Sequence, residues 1–196
     1  YIAQAIAESE AAAEPLADYD KALGKLIALV QPFVTDKRDP DPLAETWGEL
    51  TDARATLAAD IAGLKAEVAA RAAGWLGAAR DNAGLHAART GLHPMADRCR
   101  DMTKQIDLAA KLAGRVVDTA IKEMDARDHA LWSNAEVTRA RKALEGARAA
   151  AAEALRTARY FVKQADWLQE RFPDAGLRDV EGLVKRVSRA DIAARD

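Results

Sequence analysis

Residues 43–80 read LAETWGELTDARATLAADIAGLKAEVAARAAGWLGAAR. Leu43, Trp47, Leu50, Leu57, Ile61, Leu64, Val68 and Trp75 recur there on alternating four- and three-residue steps, broken only by Arg54 and Arg71. Apolar side chains at that spacing share one face of an α-helix, so the stretch predicts a long coiled-coil-like helix. At 1.5 Å per residue it would run about 55 Å.

The pattern extends in both directions. Residues 2–31 predict a helix with Leu16, Leu23, Ile27 and Val30 on one side. Pro15 is expected to kink it or to mark its true first turn, and Pro32 to stop it. Pro32, Pro40 and Pro42 among charges make 32–42 a loop. Past the stretch, Asp81-Asn82-Ala83-Gly84 predicts a break, followed by a short helix over 85–91. Pro94 suits the first turn of the next long helix. There Met95, Cys99, Met102, Ile106, Ala109, Ala113, Val116 and Ala120 repeat the 4–3 seam to about residue 126. Residues 127–133 predict a turn containing Trp132, with Ser133 and Glu136 as a capping box. Helix 134–171 follows on a seam of Val137, Ala140, Leu144, Ala147, Ala151, Ala154, Ala158, Phe161, Ala165 and Leu168. Phe172-Pro173-Asp174-Ala175-Gly176 ends it, and short helices over 178–187 and 189–195 close the chain.

The expected fold is therefore all-α: an elongated antiparallel bundle of about four long helices in coiled-coil hairpins, plus short C-terminal helices. Residues 1–196 read as one helical domain, divisible into a hairpin over 1–80 and a second over 81–196. Composition agrees. Of 196 residues, 47 are Ala and 19 Leu, and aromatics are only 5%. Ala buries little area, so the core should be thin and built helix on helix. The net charge of −2 argues against a dedicated polybasic nucleic-acid or membrane module. A single cysteine, Cys99, excludes an internal disulfide and fits the cytoplasm. No apolar run of about 18 residues exists to cross a membrane. The chain opens at Tyr1 already inside a helical pattern and reads as a piece of a longer protein.

Motifs for chemistry are sparse. His86 and His93 lie seven residues apart, about 10 Å on a helix and too far for one metal; His129 stands alone. Cys99 occupies a seam position, where a thiol acts as a small hydrophobe. No phosphate-cradling glycine loop occurs. The pattern that stands out is basic. Residues 137–171 hold eight bases against four acids, and Arg141, Arg148, Arg156, Arg159 and Lys163 fall within about 80° of one another. That stripe is open to three uses: a solvated face or pairing within the fold, for instance with the acidic helix 8–20; an acidic protein partner; or DNA phosphates. Trp167 is a further candidate partner anchor, since aromatics are enriched at binding hot spots.

Three runs carry a resemblance: Arg159-Tyr160-Phe161; Ala165-Asp166-Trp167-Leu168-Gln169-Glu170-Arg171-Phe172-Pro173-Asp174-Ala175; and Leu177-Arg178-Asp179-Val180-Glu181-Gly182-Leu183-Val184-Lys185. They are similar to the C-terminal part of the modification (M) subunits of type I restriction-modification systems, which are N6-adenine DNA methyltransferases. Residues 81–89 and 97–101 resemble the same family's helical segment. The resemblance implies a parent enzyme that uses S-adenosylmethionine and assembles with a specificity subunit. The family's Asn/Asp-Pro-Pro-aromatic motif and glycine-rich cofactor loop do not occur in these residues, so no catalytic, cofactor-binding or metal residue is carried over. What it implies for this chain is a non-catalytic assembly role, docking the specificity subunit or a second M subunit, with DNA reached through the complex. The alternative is a generic coiled-coil scaffold or dimerisation arm, with direct contact to the DNA backbone as a minor variant.

Overall fold

The computed structural model describes residues 2–34, 42–78, 92–126 and 130–171. Every described residue except Ala12 is helical, in α1 (Ile2–Ala11), α2 (Ala13–Val34), α3 (Pro42–Ala78), α4 (Leu92–Ala126) and α5 (Ala130–Arg171). The expected short helices at 85–91, 178–187 and 189–195, and the residues His86 and His129, lie outside the described residues.

Proline explains the one interruption. Pro15 has no N–H to give the Ala11 carbonyl, and its ring crowds that turn. The helix is interrupted at Ala12, while Ala12 N–H still donates to Glu8 O at 3.0 Å and Leu16 N–H to Ala12 O at 3.2 Å. Thus α1 and α2 form one interrupted rod. Pro32 does not stop α2, which continues to Val34. So near a helix end, Pro32 forfeits little beyond its one backbone bond. A second expectation is also corrected: α5 starts at Ala130, so Ser133 lies inside the helix and is not its N-cap, and Trp132 is helical.

The four rods make a bundle in which each packs on its chain neighbours and the first closes on the last; α2 and α4 meet only lightly across the diagonal. Cross-helix pairs fix antiparallel directions. Asp20 pairs with Arg54 while Trp47 Nε1 donates to Ile27 O, so α2 and α3 run oppositely. Asp107 with Arg148 and Asp118 with Arg141 do the same for α4 and α5. One continuous cluster of buried side chains runs through all four rods. The α4 seam, Met95 through Ala120, is buried at every position. On α3, Leu43, Leu50, Leu57, Ile61, Leu64 and Val68 are buried and Trp47 is half-buried.

On α5 the seam departs from expectation. Leu155 and Val162 are fully buried, although neither lies on the 4–3 line. A straight helix of 3.6 residues per turn rotates about 20° per heptad against a 3.5 repeat. By the third heptad that drift brings the residue four places after the seam into the core.

Tyr19 is the largest fully buried side chain among the described residues, and its hydroxyl donates to Ile106 O at 3.1 Å across the bundle diagonal. Gly24 permits another close approach. A Cβ there would lie 2.8 Å from the Arg54 guanidinium carbon, so a side chain would displace the arginine that reaches Asp20.

Candidate interaction surface

The basic stripe of α5 divides once its neighbours are in place. Arg141 and Arg148 sit on the α4 side of the helix. Arg148 Nη2 donates to Asp107 at 2.7 Å, and Arg141 Nη1 to Asp118 at 3.2 Å, with Nε also 3.3 Å from Glu145. Arg156 makes a two-bonded fork onto Glu153 in its own helix, at 2.8 and 2.6 Å. That fork holds the Glu153 carboxyl below the usual carboxylate range. Arg159 is half-buried, and its Nε is enclosed without a hydrogen-bond partner. Lys163 is exposed. Three of the five cations thus have acidic partners within the fold.

Among the described side chains of α5, two large aromatics lie on the outside. Tyr160 is 57% exposed and Trp167 36%, and seven residues of helix place them on one face. The Tyr160 ring also stands edge-on to Phe161, with centroids 5.3 Å apart.

Cys99 is buried, as its seam position requires. Burial pushes its thiol up to about 11; Glu67 adds to the rise, while Arg159 and Arg98 oppose it. It is a protonated core side chain at neutral pH, not a nucleophile. Arg98 in turn pairs with Glu67 at 2.6 Å between α3 and α4. Among the described residues, no group of three His, Cys, Asp or Glu is placed to hold a metal ion. Nor is any helix among them long and apolar enough to cross a membrane. Two shallow recesses, of about 250 and 260 Å³, follow the α2–α5 groove. The first is lined by Asp18, Lys21, Ala22, Lys25, Ala140 and Ala143, a set with no acid–base or nucleophile arrangement.

A second basic feature lies on α4 and was missed in the sequence. Lys104, Lys111, Arg115 and Lys122 are all exposed, on steps of seven, four and seven. They fall within about 40° of one another, opposite the buried seam. Leu108, 46% exposed, sits among them. The signal was present: the same wheel that sets Met102 and Ile106 inward sets these residues outward.

Comparison with protein-family models, curated proteins and solved structures gives no match for this chain.

Proposed function

We propose that this chain is a non-catalytic helical assembly domain of a type I DNA-modification methyltransferase subunit, acting in the cytoplasm. It docks the specificity subunit or a second modification subunit. In this reading, methyl transfer from S-adenosylmethionine to adenine N6 belongs to another part of the parent protein. The observation that carries the proposal is the pair Tyr160 and Trp167, exposed on one face of α5 within the runs that resemble the family. Large aromatics held on a rigid helix suit a protein interface better than a solvated face, because few other side chains return as much on burial.

Co-expression with the specificity subunit of the same system tests this. The chain should retain that subunit through two purification columns. Tyr160→Ala combined with Trp167→Ala should weaken retention at least about tenfold, as expected for two anchor residues. Failure of the unaltered chain to retain the subunit, or methyl transfer to DNA by the chain alone, overturns the reading.

A further inference from the structure

We propose that the outer face of α4 binds the phosphate backbone of duplex DNA, with Lys104, Lys111, Arg115 and Lys122 as the contacting groups. This stands independently of the docking proposal, which rests on α5.

The argument begins with the acids that would cancel these cations. Asp107 and Asp118 flank the ridge on its α5 side, and both are engaged by Arg148 and Arg141. Asp101 is shared between Arg100 and Lys104, at 3.5 and 2.9 Å. Among the described residues, Asp97, Asp101, Asp107 and Asp118 on this side of α4 are each engaged by an arginine, and Lys111, Arg115 and Lys122 project beside them. Arg141 and Arg148 of α5, for which DNA phosphates were one of three readings open in the sequence, engage acids that would otherwise compensate the α4 cations.

Geometry narrows the partner. From Lys104 to Lys122 a helix spans about 27 Å, most of one turn of B-form DNA. The four cations sit on one helix whose opposite face is packed in the core, so their line is preformed. A protein partner would need an apolar centre, and Leu108 is the one large apolar side chain on this face. Single strands bind by stacking bases on aromatics, and α4 contains no aromatic residue. A second copy of the chain offers acids at Glu10, Glu14 and Asp18 over about 12 Å, and at Glu45, Glu49, Asp52 and Asp60 over about 22 Å of α3, but Gly48, Thr56 and Ala59 among the latter give such a contact no large apolar side chain. A duplex backbone, with one charge per about 1.7 Å, satisfies the whole ridge.

The test is fluorescence anisotropy of a labelled random-sequence duplex of about 30 base pairs, titrated with the full chain at 50 and 200 mM NaCl. With three uncompensated cations, affinity should fall about 40-fold between the two salts. Lys111→Glu, Arg115→Glu and Lys122→Glu together should weaken binding at least about 30-fold at 50 mM and flatten the salt dependence. A control triple of identical net charge, Lys21→Glu, Lys25→Glu and Lys65→Glu, should stay within about threefold of the unaltered chain. Circular dichroism checks that both triples fold. If the glutamate triple melts, the corresponding glutamines carry the test with an expected loss of about tenfold. The proposal is overturned by absence of duplex binding at 50 mM, or by equal losses in the two triples. Binding of polyglutamate, or a salt-sensitive dimer, in place of duplex binding overturns it as well.

Discussion

At the scale of single residues, the bundle's polar side chains matter most where they are buried. Cys99 and Tyr19 are each held protonated by burial: the thiol at about 11, the phenol well above its ordinary range, with Asp107 adding to the rise and Arg148 opposing it. Both groups bind their proton more tightly in the folded state than in the unfolded chain. The unfolded chain therefore holds fewer protons in the window between the two values, and stability falls as pH rises through it. For Cys99 that window runs from about 9 to about 11. The loss by pH 11 is about 2 kcal/mol from this group alone. Urea midpoints measured at pH 8, 9, 10 and 11 should decline, and Cys99→Ala should decline less steeply than the unaltered chain. Identical slopes would show that the thiol does not titrate with unfolding. Tyr19→Phe should cost about 1 kcal/mol at pH 7, the worth of its hydrogen bond to Ile106 O.

At the scale of the helix, the decisive feature of α5 is which alanines face inward. Ala151 and Ala158 are fully buried, whereas Ala149 and Ala150 are exposed. Ala151→Leu forces a large side chain against the other rods and should cost about 1–3 kcal/mol, while Ala149→Leu should stay within about 0.5 kcal/mol. Thermal melts of the two variants check the pair; equal effects would mean the rotation assigned to α5 is wrong. This contrast also shows what the sequence could and could not disclose. On α3 and α4 the seam was legible because Leu, Ile, Met and Val stand out against polar neighbours, and the expected 43–80 corresponds to Pro42–Ala78. On α5 alanines occupy both faces, so spacing alone could not follow the helix as it rotated, and Leu155 and Val162 were missed. The roles of Arg141 and Arg148 were illegible for a different reason. Their partners lie on α4, and no local pattern states which turns of two helices meet. The α4 ridge was legible by the same wheel that set its seam.

At the scale of the whole molecule, charge sets register in one place and is left open in another. The cross-helix pairs Asp20–Arg54, Glu67–Arg98, Asp107–Arg148 and Asp118–Arg141 link successive rods. Most of their side chains are substantially exposed, Arg148 and Asp107 at 47% and 49%. Such pairs contribute roughly 0.2–1 kcal/mol each and mainly penalise wrong pairings of helices. The stability of the bundle comes instead from its continuous apolar core, which salt does not screen. Two responses to ionic strength should therefore separate. Raising NaCl from 50 to 500 mM should move the thermal midpoint by no more than about 4 °C, since the screened part of these pairs amounts to about 1 kcal/mol. Over less than half that range, duplex binding through α4 should weaken by more than an order of magnitude. A midpoint that falls by 10 °C or more would assign the ion pairs a principal share of stability. The α5 arginines could then not be described as serving register and charge compensation alone. A flat midpoint beside a steep binding curve would place the salt-sensitive chemistry of this chain on the exposed ridge rather than in its helix packing.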